Sequence, residues 1–213
     1  MTRANSLEHL SRTIAIMPDF FDNLRRSYVD VSIDESGINT AEFLEASEGL
    51  VSMFDLIGSA AFSVVQKDMT GNVKKIRDRQ LAHPSTSMTL ESLVENEVKE
   101  KNRTATQGLL WLTRGLSFTA AALRRNVDNS AEELSTSFTK AYESTLRKHH
   151  SMLVRPVFSL AMKACPYRKD FYEKLGSDQA KVQQQLQQWL GALEKIVASL
   201  NVFYEKTQYG KGL

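Results

Sequence analysis

The chain has 213 residues, 42% of them hydrophobic, enough to build one substantial core. Its 27 basic and 25 acidic side chains nearly cancel to a formal charge of +2, which argues against a surface made to neutralise a nucleic-acid backbone. A single cysteine, Cys165, excludes an intramolecular disulfide and a thiolate-held metal cluster.

The opening stretch MTRANSLEHLSRTIAIMPDFF lacks the continuous apolar run of a secretory signal. No stretch approaches the roughly 20 apolar residues of a membrane span; the richest candidate, MLVRPVFSLAMKACP, is interrupted by Arg155, Pro156 and Lys163. The Asn102-Arg103-Thr104 sequon would matter only in a secreted chain. These features together read as a soluble cytoplasmic protein. Apolar residues recur at helical spacing, and strict alternation is nearly absent. The spacing predicts helices near 18–29, 40–56, 60–80, 89–101, 104–126, 131–147, 149–164, 168–175 and 178–207. Gly37, Gly58, His83-Pro84, Asn126 to Ser130, Pro166 and Gly176 punctuate them. No linker, repeat or low-complexity tract divides the chain, so one all-α domain over 1–213 is expected, with 1–17 and 209–213 prone to fraying.

In the helix near 60–80, winding at about 100° per residue puts Asp68, Asn72 and Lys75 in one narrow sector. The apolar stripe Val65, Met69, Val73 and Ile76 runs beside it. An acceptor, an amide and a cationic donor in one row suit the hydroxyls of a sugar; the alternative is a solvated helix flank. Gly71, inside this helix, marks either a close backbone approach or an ordinary packing contact. Further on, SMTLESLVENEV supplies a helix start, with Ser87 or Thr89 as the cap and Glu91 or Ser92 in the first turn.

In QGLLWLTRGLSF, Trp111 shares a helix face with Arg114, Gly115 and Phe118. Its indole reads either as a flat platform for a sugar ring or as core packing among leucines. Arg114 either supports the polar cluster or pairs a buried carboxylate. In LRKHHSMLVRPVF, a continuous helix would put His150 on a face with Leu146, Leu153, Val154 and Val157, and His149 further round. His150 is then either a functional group or a satisfied core residue. Adjacent histidines diverge on a helix, so no zinc site is expected. No nucleophile motif, phosphate loop or cofactor fingerprint accompanies Asp68 and His150, so neither an enzyme nor a cofactor is expected.

Four segments, DMTGNVKKI at 68–76, GLLWLTRGL at 108–116, LRKHHSMLV at 146–154 and ACPYRKDFYEKLG at 164–176, stand in the order and spacing of the glycolipid transfer protein family. The chain resembles that family from about Thr40 to Tyr204, and looks most like its fungal members related to the heterokaryon-incompatibility C protein. The resemblance implies a two-layer all-α sandwich that holds one glycosphingolipid. It assigns Asp68, Asn72 and Lys75 to the sugar hydroxyls and Trp111 to stacking under the first sugar. His150 and Asp68 would take the ceramide amide, with Arg114 in support. Phe54, Ile57, Phe62, Val65, Phe118, Leu146 and Phe158 would line the apolar pocket. It further implies a monomer that touches a membrane surface transiently, with no metal and no nucleic-acid partner. The chain departs from the animal members at Ser151-Met152, where they carry Gly-Trp, and its Tyr209 stands near their C-terminal sugar-binding tyrosine. Two alternatives remain within reach of the same features: transfer of ceramide phosphate, or a lipid-sensing interaction protein of fungal incompatibility signalling.

Overall fold

A computed structural model describes residues 19–213; residues 1–17, expected to fray, fall outside that range. Eight α-helices follow a short entry segment: α1 Thr40–Ile57, α2 Ser63–Ala82, α3 Leu90–Lys99, α4 Thr104–Asp128, α5 Leu134–Ser144, α6 Arg155–Lys163, α7 Arg168–Leu175 and α8 Gln179–Thr207. Local chemistry sets most boundaries. Asn39 caps α1 by accepting the Glu42 amide at 3.1 Å, and α1 stops at Gly58, whose φ of 68° costs a residue without Cβ little. Helix α2 ends at His83-Pro84, because proline disfavours helical backbone in the residue before it. Thr89 and Ser92 close a reciprocal capping box at the start of α3.

Helix α4 runs through the centre, packed on α2, α3, α5 and α8, while α1 covers the far side of α2. The arrangement is the expected two-layer helical sandwich. The α4 N-terminus is tied down from two directions. The buried Glu97 carboxylate accepts the amides of Ala105 (2.9 Å) and Thr106 (2.6 Å) and the Thr106 hydroxyl (2.7 Å). From α8, the Tyr204 hydroxyl donates to the Thr106 carbonyl at 2.7 Å.

Several expectations need correction. No α-helix covers 19–29: two short 3₁₀ turns, Phe20–Asn23 and Tyr28–Asp30, stand there, followed by a hairpin of two-residue strands, Ile33–Asp34 with Gly37–Ile38. Phe21 and Tyr28 instead pack their rings edge-on against Trp189 of α8. The helix expected over 149–164 begins only at Arg155, with Pro156 in its first turn, where its missing amide hydrogen is not needed. His150 has extended backbone, φ −92° and ψ 135°, so the shared helix face with Leu153, Val154 and Val157 does not exist. The tail 209–213 folds back rather than fraying. Arg103 holds the Tyr209 and Lys211 carbonyls at 2.8 and 3.3 Å, and Gly210 sits against Leu110 and Tyr204.

Candidate functional site

Two helices supply the polar wall. Helices α2 and α4 cross antiparallel, with Gly108 against Asn72 and Lys75 and Gly115 against Met69 about two turns on along α4. A Cβ on Gly108 would lie 3.0 Å from Lys75 Cβ and 3.2 Å from the Asn72 carbonyl oxygen, so the missing side chain is what lets the two backbones meet here. Gly71, singled out on the sequence, has open space where its Cβ would stand, with nothing within 4 Å. The close approach belongs to Gly108, which sequence reasoning missed; its one signal was its position a turn before Trp111.

The expected row exists and is wired together. Lys75 Nζ donates to Asn72 Oδ1 at 3.3 Å, and Asn72 Nδ2 donates to Asp68 Oδ2, also at 3.3 Å. The carbonyl of the amide thus faces the cation and its NH2 faces the carboxylate. Asn72 is buried at 4% exposure, whereas Asp68 opens to solvent. The protein around Asp68 still removes enough water to lift its pKa above the usual carboxylate value, against the opposing pull of Lys75. Asp68 keeps three oxygen lone pairs and Lys75 two N–H donors for a ligand.

Trp111 is partly exposed beside this row, in contrast to Trp189, which is fully enclosed. The Arg114 guanidinium carbon lies 4.5 Å from the centroid of the indole. Arg114 faces no carboxylate among the described residues, and its desolvation lowers its pKa. The His150 ring lies nearly parallel to the indole, 16° between planes at a centroid distance of 6.1 Å, an offset arrangement that leaves part of the indole face free. His149 meets the indole edge-on at 6.3 Å.

His150 is held by groups that no helical spacing suggests. Its Nδ1 is 3.2 Å from the Tyr142 hydroxyl, and its carbonyl accepts from Arg155 Nε at 3.0 Å. Its ring is 4.3 Å from that of Phe158. On a continuous helix, Tyr142 and His150 would be about 12 Å apart along the axis; the turn Arg147–His149 brings them into contact. Burial, with Arg155 nearby, lowers the His150 pKa, and burial with Arg114, Lys148 and His150 lowers that of His149 to about 4. Both rings are therefore neutral near pH 7, and Nε2 of a neutral His150 is free to serve a ligand. No bond joins His150 to Asp68, so the two do not form an acid–base pair.

All seven residues expected to line the apolar pocket are buried. Five aromatic rings make a continuous file away from His150: Phe158, Tyr142 at 5.5 Å, Phe118 at 6.3 Å, Phe138 at 5.6 Å and Phe62 at 5.9 Å, with Phe54 stacked at 5.6 Å beyond. Phe138 and Tyr142 join that file although the sequence did not single them out. Tyr209 packs edge-on to Phe203 at 6.0 Å.

The family model for glycolipid transfer protein matches residues 38–177. The chain belongs to the glycolipid transfer protein family. Over 184 residues it is 58% identical to a glycolipid transfer protein of the fungus Aureobasidium melanogenum, covering 86% of this chain and 92% of that one. It is 35% identical to mouse pleckstrin homology domain-containing family A member 8, over 89% of this chain but only 39% of that longer protein. Among solved structures, the fungal glycolipid transfer protein HET-C2 superposes with a TM-score of 0.85 at 55% identity, over 87% of this chain and 96% of that one. The structure describing how FAPP2 selects simple glycosphingolipids superposes at 0.82 with 34% identity, over 91% and 97%. Mouse ceramide-1-phosphate transfer protein, at 23% identity and a TM-score of 0.76, shares the fold. Within this glycolipid transfer protein fold, three of the four segments that carried the resemblance supply the site, on α2, α4 and the α5–α6 turn, whereas the fourth, on α7, packs against α1, α8 and the Asn126 end of α4.

Proposed function

We propose that this chain binds a glycosylceramide and carries it between membranes, as a monomeric single domain in the cytoplasm. The observation that carries the reading is the meeting of unlike surfaces: the wired row Asp68–Asn72–Lys75 and the partly exposed Trp111 stand at the mouth of the aromatic file that starts at His150. A glycosylceramide has the same division, with sugar hydroxyls at one end, an amide in the middle and two apolar chains at the other.

In this reading Asp68, Asn72 and Lys75 take sugar hydroxyls while Trp111 stacks on the sugar ring, backed by Arg114. His150 Nε2–H donates to the ceramide carbonyl, its tautomer set by the Tyr142 hydroxyl donating to Nδ1. Asp68 accepts from the amide N–H. The chains part the file toward Phe62 and Phe54, with Ile57, Val65 and Leu146 at its sides. Burial recovers about 0.8 kcal/mol per methylene, which offsets withdrawal from a bilayer of similar apolarity. Selectivity then rests on the polar groups, since an unmatched buried donor or acceptor costs about 1–3 kcal/mol. Transport of this kind breaks no bond, and no cofactor has a part in it.

Cargo must cross from bilayer to file, and an apolar surface lies at the right place. Met152, Leu153, Val157 and Leu160 are exposed by 77%, 87%, 44% and 65% around the turn that carries His150 and along α6. They serve as the contact with the membrane, in place of the indole that animal relatives carry near this position. The test is transfer of labelled glucosylceramide between vesicles by the purified chain, with ceramide phosphate as the competing cargo. Trp111→Ala should abolish transfer of the glucosylceramide while circular dichroism stays helical. Preferential transfer of ceramide phosphate, or no transfer of either lipid, would refute the reading.

A further inference from the structure

Behind the wall that holds His150, between α5 and α6, lies a cavity of about 320 Å³. Tyr142, Arg147, Arg155, Ser159, Thr139 and Glu143 form its polar lining. It is separate from the sugar site, since neither the α2 row nor Trp111 borders it. Its cations are under-used. The Arg147 side chain makes no hydrogen bond or ion pair among the described residues. Arg155 spends Nε on the His150 carbonyl and lays Nη1 3.5 Å from Met152 Sδ, leaving Nη2 uncommitted. Glu143 is the one carboxylate in the lining and pairs with neither arginine.

We propose that this cavity binds the phosphate of an anionic phospholipid standing in the bilayer, and that its occupation is coupled to the cargo site through His150; the proposal rests on the membrane contact described above. Charge selects the occupant. Two guanidinium groups flank a space that a glycerophosphate headgroup fits, and Arg takes up phosphate in a planar, two-pronged fashion. Position selects the source. Arg155 and Pro156 open α6, whose adjoining exposed residues Leu153, Val157 and Leu160 would sit in the acyl layer, which puts the cavity at headgroup height. A free phosphate ion would have no use for that apolar margin.

The coupling follows from shared walls. Tyr142 lines the cavity and bonds the His150 ring; Arg155 lines it and bonds the His150 carbonyl. A phosphate that draws the Arg155 guanidinium toward the cavity weakens its hold on that carbonyl and frees the turn that presents His150. Docking on an anionic surface would therefore change the affinity for the ceramide amide at the moment of exchange, and the two bindings must influence each other by the same factor.

Flotation with glycolipid-free vesicles tests the site, comparing phosphatidylcholine alone with phosphatidylcholine doped with phosphatidylglycerol. The wild-type chain should favour the doped vesicles severalfold. Arg147→Ala should remove most of that preference and Arg147→Lys should keep part of it. Lys148→Ala, which deletes an equal and adjacent charge outside the cavity, should leave it nearly intact. Equal losses from Arg147→Ala and Lys148→Ala would mean diffuse attraction by a basic surface, and would overturn the site. In parallel, short-chain glucosylceramide is titrated by tryptophan emission. Without vesicles its affinity should be the same for wild type and Arg147→Ala. Doped vesicles should shift it for wild type alone; no shift overturns the coupling. A chain that binds the short-chain glycolipid but shows no preference for doped vesicles refutes the second site and leaves the proposed function standing. A chain that binds no glycolipid refutes the proposed function itself.

Discussion

The two halves of the candidate site are held by different kinds of structure. Asp68, Asn72, Lys75 and Trp111 stand on two long helices whose backbones touch at Gly108. Each side chain there points where the helix points it, and the helices are anchored by packing along their whole length. His150 stands on extended backbone between a 3₁₀ turn and α6, and two neighbours, Tyr142 and Arg155, hold its ring and its carbonyl. The helical half is stiff, and a disturbance must move a helix to be felt. Apart from ring contacts and its own backbone bonds, the turn half is tied by two side-chain hydrogen bonds, each worth about 0.5–1.5 kcal/mol net, and is correspondingly adjustable. In the proposed function the residue that meets the ceramide amide stands on this adjustable half, which suits a carrier that must both grip and release.

The sharpest way to break this contrast is to force the helical half apart. Gly108→Val puts branched carbon where a Cβ would already lie 3.0 Å from Lys75. It should cost about 1–3 kcal/mol of stability, lower Tm, and remove glucosylceramide transfer as Trp111 moves away from Asn72. Gly71→Ala is its opposite within the same pair of helices: with open space around it, it should raise stability by up to about 1 kcal/mol and leave transfer unchanged. Thermal melts and transfer assays read both.

Asp68→Asn acts within the helical half without moving it. Charge-assisted hydrogen bonds are worth about 1.5–3 kcal/mol each, so transfer of neutral glycosylceramide should fall at least tenfold. Anionic cargo such as sulfated glycolipid should fall less, because a negative charge has left the site. An unchanged ratio of neutral to anionic transfer would show that Asp68 does not face the headgroup.

Tyr142→Phe loosens the turn half by one bond. The expected loss is about fivefold, near 1 kcal/mol, and equal for glycosylceramides of different sugars, since in the proposed function His150 meets the amide they share. A loss that varies with the sugar would put His150 at the headgroup instead.

The smallest effect concerns His149, which borders both halves. Its pKa is about 4 in the folded chain, against about 6.5 for an unperturbed histidine. The unfolded chain therefore takes up this proton first as pH falls. The resulting destabilisation is absent above pH 6.5, grows as pH drops from about 6.5, and levels off below about 4. His149→Gln should flatten that part of the Tm–pH curve slightly and change transfer at pH 7 little. A steeper acid dependence in the variant would contradict the sign.

Much of the fold was readable because amphipathic periodicity and end signals agree. Helices α1 to α4, α7 and α8 fall within a few residues of their expected bounds, and of the alternatives left open at the start of α3 the structure uses Thr89 with Ser92. The row on α2 was readable for the same reason, since residues three and four apart meet on any helix. The entry segment misled because Phe20, Phe21 and Tyr28 mimic helical spacing; Phe21 and Tyr28 turn their rings to Trp189 and Phe20 packs on Phe21, so none belongs to a helix stripe. Over 149–164, the same periodicity hid a turn, and Pro156 was the signal that should have moved the helix start to Arg155.

What the sequence determined alone is the set of properties that depend on near neighbours: helical class, most helix bounds, and the line of Asp68, Asn72 and Lys75. The four segments in register also determined the family. What only the tertiary structure decided is whatever joins residues distant in the chain or separated by non-helical backbone. Whether Trp111 or Trp189 is enclosed depended on which other helices cover each one. The grip of Tyr142 and Arg155 on His150 depended on a turn whose direction the packing of α5 against α6 imposes. The meeting of Gly108 with Asn72 and Lys75 depended on the α2–α4 crossing, because a glycine records that nothing may stand at its position but not which backbone fills the space.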